Sequence, residues 1–276
     1  MNRRQFILTA AALALLPAPA LATPFSSPRL TVETRGSGPD VILIPGLGTG
    51  RSVWSALVRA VPGYRYHLVQ VAGFAGEPVR GNARGPVVRP LAAELARYIR
   101  ESGLRRPAIV GHSMGGTLAM LLAADHPRLA GRIMVVDMLP APAGLFGQNR
   151  EDTGALARGI ASLTGTEAGR RLYSSFVNAL APEGSGFRSS DPALVGRTMN
   201  ELAAMDLTDR LPEIRVPVTV VYAAPDERLG PAADRRYRRA YADARSPRFV
   251  RIDDSGHMIM FDQPARLAEA VRAFLR

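Results

Sequence analysis

The stretch RRPAIVGHSMGGTLAMLLAADHP (105–127) decides how this chain is read. A short apolar run leads into Gly-His-Ser-Met-Gly, and small and apolar residues then recur at helical spacing from Gly115 to Ala124. Ser113 therefore sits between two glycines where a buried strand gives way to a helix. Glycines on either side give the backbone room for a strained, tight turn. Such a turn lifts the hydroxyl off the sheet edge and points the first helical N–H groups at the same space. Gly111-x-Ser113-x-Gly115 alone is a weak signal; its weight comes from the strand before it, the helix after it and partners elsewhere.

Working outward, strand and helix patterns alternate. RLTVETRGSG alternates like an exposed strand, and DVILIPG is a continuous apolar run suited to a strand buried on both faces. RSVWSALVRAV has helical spacing, YRYHLVQVAG reads as a strand, and VVRPLAAELARYIRESG is a helix closed by Gly103. After the serine helix comes the buried strand RIMVVDM. The alternation resumes at VPVTVVYA and continues through AADRRYRRAYAD, SPRFVRIDD and QPARLAEAVRAFL. This order predicts an α/β fold with a mostly parallel, doubly wound sheet. Between Pro140 and Leu211 helical patches alternate with Gly/Pro/Ser-rich breaks. The expected organisation is a core formed by 23–140 and 212–276, with an inserted helical cap over 141–211.

The first 22 residues form a separate unit. Arg3 and Arg4, an apolar run from Phe6 to Leu16 and the Ala20-Leu21-Ala22 ending give the three-part layout of a secretory signal, with cleavage after Ala22. The apolar run is too short for a comfortable membrane span, so no stable anchor is expected after cleavage. The paired arginines followed by Gln5-Phe6-Ile7 resemble a twin-arginine signal. Export to the periplasm or the extracellular space is the expectation.

The 276 residues carry a net charge of +11, contain no cysteine, and owe all 35 basic residues to arginine. No disulfide or thiolate metal site is possible. The densest basic cluster is ADRRYRRAYADAR (233–245), in which Arg235, Arg238 and Arg239 share a helical face; a solvated face accounts for them. No nucleic-acid partner is expected. Four scattered histidines repeat no ligand spacing, so neither a metal nor a cofactor is expected. PGLGTGR after a strand falls short of a dinucleotide fingerprint, because Arg51 stands where the third glycine belongs.

A serine hydroxyl needs a base to become a nucleophile. His112 adjoins the serine but leaves the turn in another direction, His126 closes the following helix, and His67 lies within a strand. His257, in the loop between the last strand and the last helix, reaches the sheet edge where the serine emerges. It is the expected base. Its carboxylate partner is expected to be Asp226, in TVVYAAPDERLG, since the order Ser…Asp…His then matches an arrangement seen on such sheets. Asp137, ending IMVVDM on the preceding strand, is the rival.

The motifs ILIPGLGTGRSVW, IVGHSMGG, YAAPDE and DSGHMIMFDQPARLAEAVRAFL, in that order, resemble the α/β-hydrolase fold family from about Arg29 to Arg276. The resemblance implies Ser113 as nucleophile, His257 as base and Asp226 as acid, with an oxyanion hole from the N–H groups of Leu47 and Met114. Many members have His-Gly where this chain has Pro45-Gly46. A serine nucleophile points to acyl transfer to water rather than to the aspartate chemistry of some relatives.

Phe74, Met138, Leu139 and Met258 fall near this constellation and are expected to contact substrate, giving an apolar pocket without a charged clamp. The expected activity is a carboxylesterase on a small or medium apolar ester, a small-molecule substrate. Peptidase (prolyl aminopeptidase-like), lactonase, carbon–carbon hydrolase and perhydrolase chemistries use the same triad, and a non-catalytic ligand receptor is the reading outside enzymes.

Overall fold

A computed structural model describes residues 25–143, 166 and 181–276. The expected signal (1–22) and most of the expected cap lie outside the described residues. Among the described residues, seven strands form one sheet: β1 (Leu30–Arg35), β2 (Asp40–Ile44), β3 (Arg65–Val71), β4 (Ala108–His112), β5 (Arg132–Val136), β6 (Val218–Ala224) and β7 (Arg248–Asp253). Their order is β1-β3-β2-β4-β5-β6-β7. β1 pairs antiparallel with β3, and every other pairing is parallel. The expected mostly parallel, doubly wound sheet is the one observed.

The apolar runs become strands because both faces are covered. Ile42, Ile44, Ile109, Ile133, Val135 and Val220 point into one hydrophobic cluster. The alternate residues Val41, Leu43, Val110, Met134, Val136 and Val221 point into the other. The first cluster is closed by α2 (Val88–Glu101), α3 (Met114–Asp125) and α5 (Gly230–Ala240). The second is closed by α1 (Ser55–Ala60), the one-turn α6 (Ile259–Asp262) and α7 (Pro264–Leu275), with Trp54 fully buried beside them. α5 resolves the arginine cluster: Arg235, Arg238 and Arg239 are exposed, Arg238 lies over the Phe249 ring, and Tyr237 faces the core.

Of the expected cap, α4 (Pro192–Ala204) and short 3₁₀ turns are described, with no strand between β5 and β6 among the described residues. Asp191 caps α4 by accepting the Leu194 N–H at 2.7 Å. From α4, Glu201 reaches down to accept the N–H groups of Val87 and Val88, unsatisfied donors at the start of α2.

At the opposite end of the sheet from the serine, buried His67 joins three elements. Its Nε2–H donates to Asp40 at 2.8 Å, and its Nδ1 accepts the Tyr98 O–H at 2.6 Å. Burial holds its pKa below the ordinary imidazole value despite the Asp40 carboxylate.

The chain reverses direction across the sheet between β2 and β4. In open α/β sheets, ligands bind beyond the strand ends at such a switch point. Here those ends deliver Pro45-Gly46-Leu47 and Ser113. The approach there is tight: a Cβ on Gly115 would overlap the Ile44 carbonyl oxygen and come within 2.8 Å of the Pro45 oxygen. We expect Gly115→Ala to destabilise the fold by about 3 kcal/mol or more, the range of severe overpacking. Urea unfolding that changed by less than about 1 kcal/mol would contradict this packing.

Candidate active site

Ser113 occupies the turn between β4 and α3 with φ +51° and ψ −121°. This is backbone that a residue with a Cβ adopts only when its surroundings enforce it. The enforcement is visible. The Ser113 N–H donates to the Val136 carbonyl at 2.9 Å, and the Ser113 carbonyl accepts the N–H groups of Gly116 and Thr117. Gly111 lacks a Cβ because one there would collide with the Gly115 carbonyl.

Gly46 brings the loop after β2 against this turn. A Cβ on it would lie 2.8 Å from His112 Nδ1 and 3.2 Å from Ser113 Cβ. Pro45-Gly46 thus keeps the glycine where contact requires it. Met114 is the first residue of α3, so its N–H is among the helix's orphan donors, and Leu47 follows the glycine that touches the serine. The same loop is held from above by the segment preceding α4. Ser190 Oγ donates to the Gly48 carbonyl at 2.6 Å and accepts the Ala75 N–H, while Gly50 N–H donates to the Ser185 carbonyl. Nothing in the sequence marked Ser190 for this task, because the bond spans 142 residues.

His257 lies in the loop between β7 and α6. Its Nδ1–H donates to Asp137 Oδ2 at 2.7 Å. A carboxylate only accepts, so this bond fixes the tautomer and leaves Nε2 as the nitrogen able to take a proton. The loop is pinned by the Gly256 N–H on Asp262 at 2.8 Å and by the His112 Nε2–H on the His257 carbonyl at 2.9 Å. The two imidazole rings stand 4.7 Å apart. Burial first, and the nearness of His257 second, push the His112 pKa down to about 3. His112 is therefore a neutral strut between the base loop and the serine turn.

The expected pairing of His257 with Asp226 is replaced by a pairing with Asp137. Asp137 is the first residue after β5, the strand next to β4, and turns at φ +50° with its N–H on the Val221 carbonyl. Its side chain is 7% exposed. Burial opposes its charge, but the bond to His257, the Ala223 N–H and the Tyr237 O–H outweigh burial and hold its pKa below the usual carboxylate value. Asp226 lies one strand further from β4, in an exposed loop, where its Oδ1 accepts the Leu229 N–H at 3.0 Å. It forms a local turn leading into α5.

Three of the residues expected to contact substrate lie in the core. Phe74 and Met138 are fully buried in the first cluster, and Leu139 is nearly so. Met258, next to His257 in the chain, is partly exposed and packs against the second cluster.

Residues 41–270 match the model of the Alpha/beta hydrolase family, and the chain belongs to that family. It is similar to the pimeloyl-[acyl-carrier protein] methyl ester esterase of Aromatoleum aromaticum, 27% identical over 86% of this chain and 98% of that protein. Among solved structures it resembles a thermophilic esterase from Thermogutta terrifontis, with a TM-score of 0.67, 23% identity, and 90% and 93% of the two chains covered. It also resembles the enol-lactonase from Burkholderia xenovorans LB400, with a TM-score of 0.64, 22% identity, and 89% and 96% covered.

The depressed imidazoles give the fold an acid limit. An unfolded histidine takes its proton near pH 6.5, whereas His112 refuses one until about pH 3. Between those values the unfolded chain binds more protons, so the contribution is complete above about 6.5 and is lost as pH falls. His67 acts in the same direction. Urea unfolding at pH 5 should therefore give about 2 kcal/mol less stability from His112 alone than at pH 7.5. His112→Asn should shrink that difference; an unchanged difference would show that His112 is protonated in the fold.

Proposed function

We propose that this hydrolase is a carboxylesterase in which Ser113 is the nucleophile, His257 the base and Asp137 the acid. The observation that carries the reading is the His257 Nδ1–Asp137 Oδ2 bond of 2.7 Å, formed at the sheet edge where Ser113 is held at positive φ. It fixes the tautomer in which His257 Nε2 is the nitrogen that takes the Ser113 proton. Kinship with a methyl ester esterase supports the choice of an ester bond.

In this reading, Ser113 Oγ attacks the ester carbonyl carbon as His257 Nε2 takes the hydroxyl proton. The oxyanion that forms accepts the N–H groups of Leu47 and Met114, each worth about 3 kcal/mol of barrier lowering. Collapse breaks the C–O bond, and the departing alkoxide takes the proton from His257. Water then attacks the acyl-enzyme by the same route, releasing the acid and restoring Ser113. Asp137 remains ionised throughout and stabilises the imidazolium that forms in each half-reaction. The substrate in this reading is a small or medium apolar ester. The basic start, apolar run and small-residue ending of residues 1–22 support export as the place where it acts.

Hydrolysis of p-nitrophenyl esters from acetate to palmitate should be abolished by Ser113→Ala, with the best chain length reporting the depth of the pocket. Turnover equal in wild type and Ser113→Ala would end the esterase reading. Asp137→Asn should lower kcat by about 10⁴-fold, as expected when the base is held in the wrong tautomer. Asp226→Asn should stay within about threefold of wild type, since loss of one exposed turn bond is a small perturbation. The reverse ranking would return the acid role to Asp226.

A further inference from the structure

The carboxylate of Asp137 has lone pairs for about four donors and is buried where water is scarce. Oδ2 accepts His257 Nδ1–H, and Oδ1 accepts the Ala223 N–H at 3.0 Å and the Tyr237 O–H at 2.8 Å. The main-chain donor comes with the sheet. Tyr237 is a side chain a hundred residues away, the one buried position among the exposed Arg235, Arg236, Arg238 and Arg239.

Its ring is fixed with unusual thoroughness. It stacks on Tyr222 with centroids 4.4 Å apart and planes 16° from parallel. The Tyr222 hydroxyl donates to Asp234 at 2.6 Å, and Asp234 accepts Arg251, which also bonds Asp253 on β7. These bonds tie α5 to β6 and β7, so the phenol cannot slide relative to Asp137. Burial and the neighbouring carboxylate push the Tyr237 pKa well above the ordinary tyrosine value, so its hydroxyl remains a donor.

We propose that Tyr237 is a positioning residue, whose O–H holds Asp137 Oδ1 so that Oδ2 faces His257 and which shares the charge of the carboxylate. This rests on the hydrolase reading above. Tyr241, one turn further on, provides the contrast. It is equally buried and feels the Asp137 charge through space, but its hydroxyl donates to the Met138 carbonyl at 2.8 Å. If buried tyrosines served packing alone, the two would behave alike.

Tyr237→Phe removes the donor and keeps the ring. The negative charge then concentrates on the bond to His257 and favours the protonated base. The acid limb of the pH–rate profile moves to higher pH. The test compares wild type, Tyr237→Phe, Tyr241→Phe and Asp137→Asn as full chains from pH 5 to 9. Two rates are read: fluorophosphonate labelling of Ser113, and kcat and KM for a short p-nitrophenyl ester.

We expect Tyr237→Phe to raise the acid-limb midpoint by about half to one pH unit in both assays and to lower kcat by about tenfold near pH 6, the scale of one hydrogen bond to a charged group. KM should stay within about twofold, as for a group that acts on the transition state rather than on binding. Tyr241→Phe should lower the Tm while its pH profile overlays wild type. A Tyr237→Phe profile that overlays wild type overturns the proposal, whatever its Tm. If no ester is turned over but labelling still depends on pH and on Asp137, the ester assignment fails and the labelling profile alone decides the role of Tyr237. Labelling of Asp137→Asn at the wild-type rate overturns the proposal together with the acid role of Asp137.

Discussion

The turn at Ser113 is the constraint around which the remaining geometry is arranged. A serine at φ +51° persists only where neighbours leave no alternative, and here three glycines supply the space. Gly111 and Gly115 let the strand and helix touch main chain to main chain, and Gly46 lets the loop after β2 lie against the serine. The loop carrying Leu47 thereby lies beside the turn that opens α3. None of this is local in energy. The strain is sustained by the two apolar clusters that press helices onto both sheet faces, so the fold's burial holds the nearly buried serine in its turn.

A buried carboxylate is the second demand on the fold. Removing Asp137 from water is unfavourable unless its charge is shared. The sheet contributes the Ala223 N–H, the β7–α6 loop contributes His257, and α5 contributes Tyr237. These partners come from three elements on one side of β4, which explains why the tight register of β5, β6 and β7 matters to a site whose serine is on another strand. Packing α5 correctly and ionising Asp137 are the same event.

Most of the fold was legible because its signals are local. Continuous apolar runs of strand length alternated with helical periods, and the glycine-flanked serine marked the strand–helix junction. His257 stands out as the candidate base because few histidines compete for the role. The carboxylate that His257 meets differs from the expected one for a physical reason. The chain order Ser…Asp…His holds for Asp137 as well as for Asp226, so order cannot separate them. What separates them is a single strand's displacement and the direction each side chain takes after its strand. Asp137 turns inward at φ +50°, and Asp226 spends its oxygen on a nearby N–H. Phe74, Met138 and Leu139 lie near these motifs along the chain, yet a residue just past a strand can face the core as readily as the cleft. Tyr237 carried no signal at all: one tyrosine among arginines reads as a helix's buried side, and only the packed helix reveals what its hydroxyl meets.

His112 shows how the same site manages charge. In the proposed mechanism, proton transfer from Ser113 makes His257 cationic, and a second imidazolium 4.7 Å away would oppose that step. Complete burial keeps His112 neutral, and its proton on Nε2 is committed to the His257 carbonyl. Its other nitrogen faces the Cα of Gly46 and has no hydrogen-bond partner. Leaving that atom unsatisfied is unfavourable, but a donor placed there would need the room that the loop after β2 occupies. The orphan nitrogen is thus the counterpart of the glycine: the loop lies close enough to the serine to be useful only because nothing stands between it and the ring.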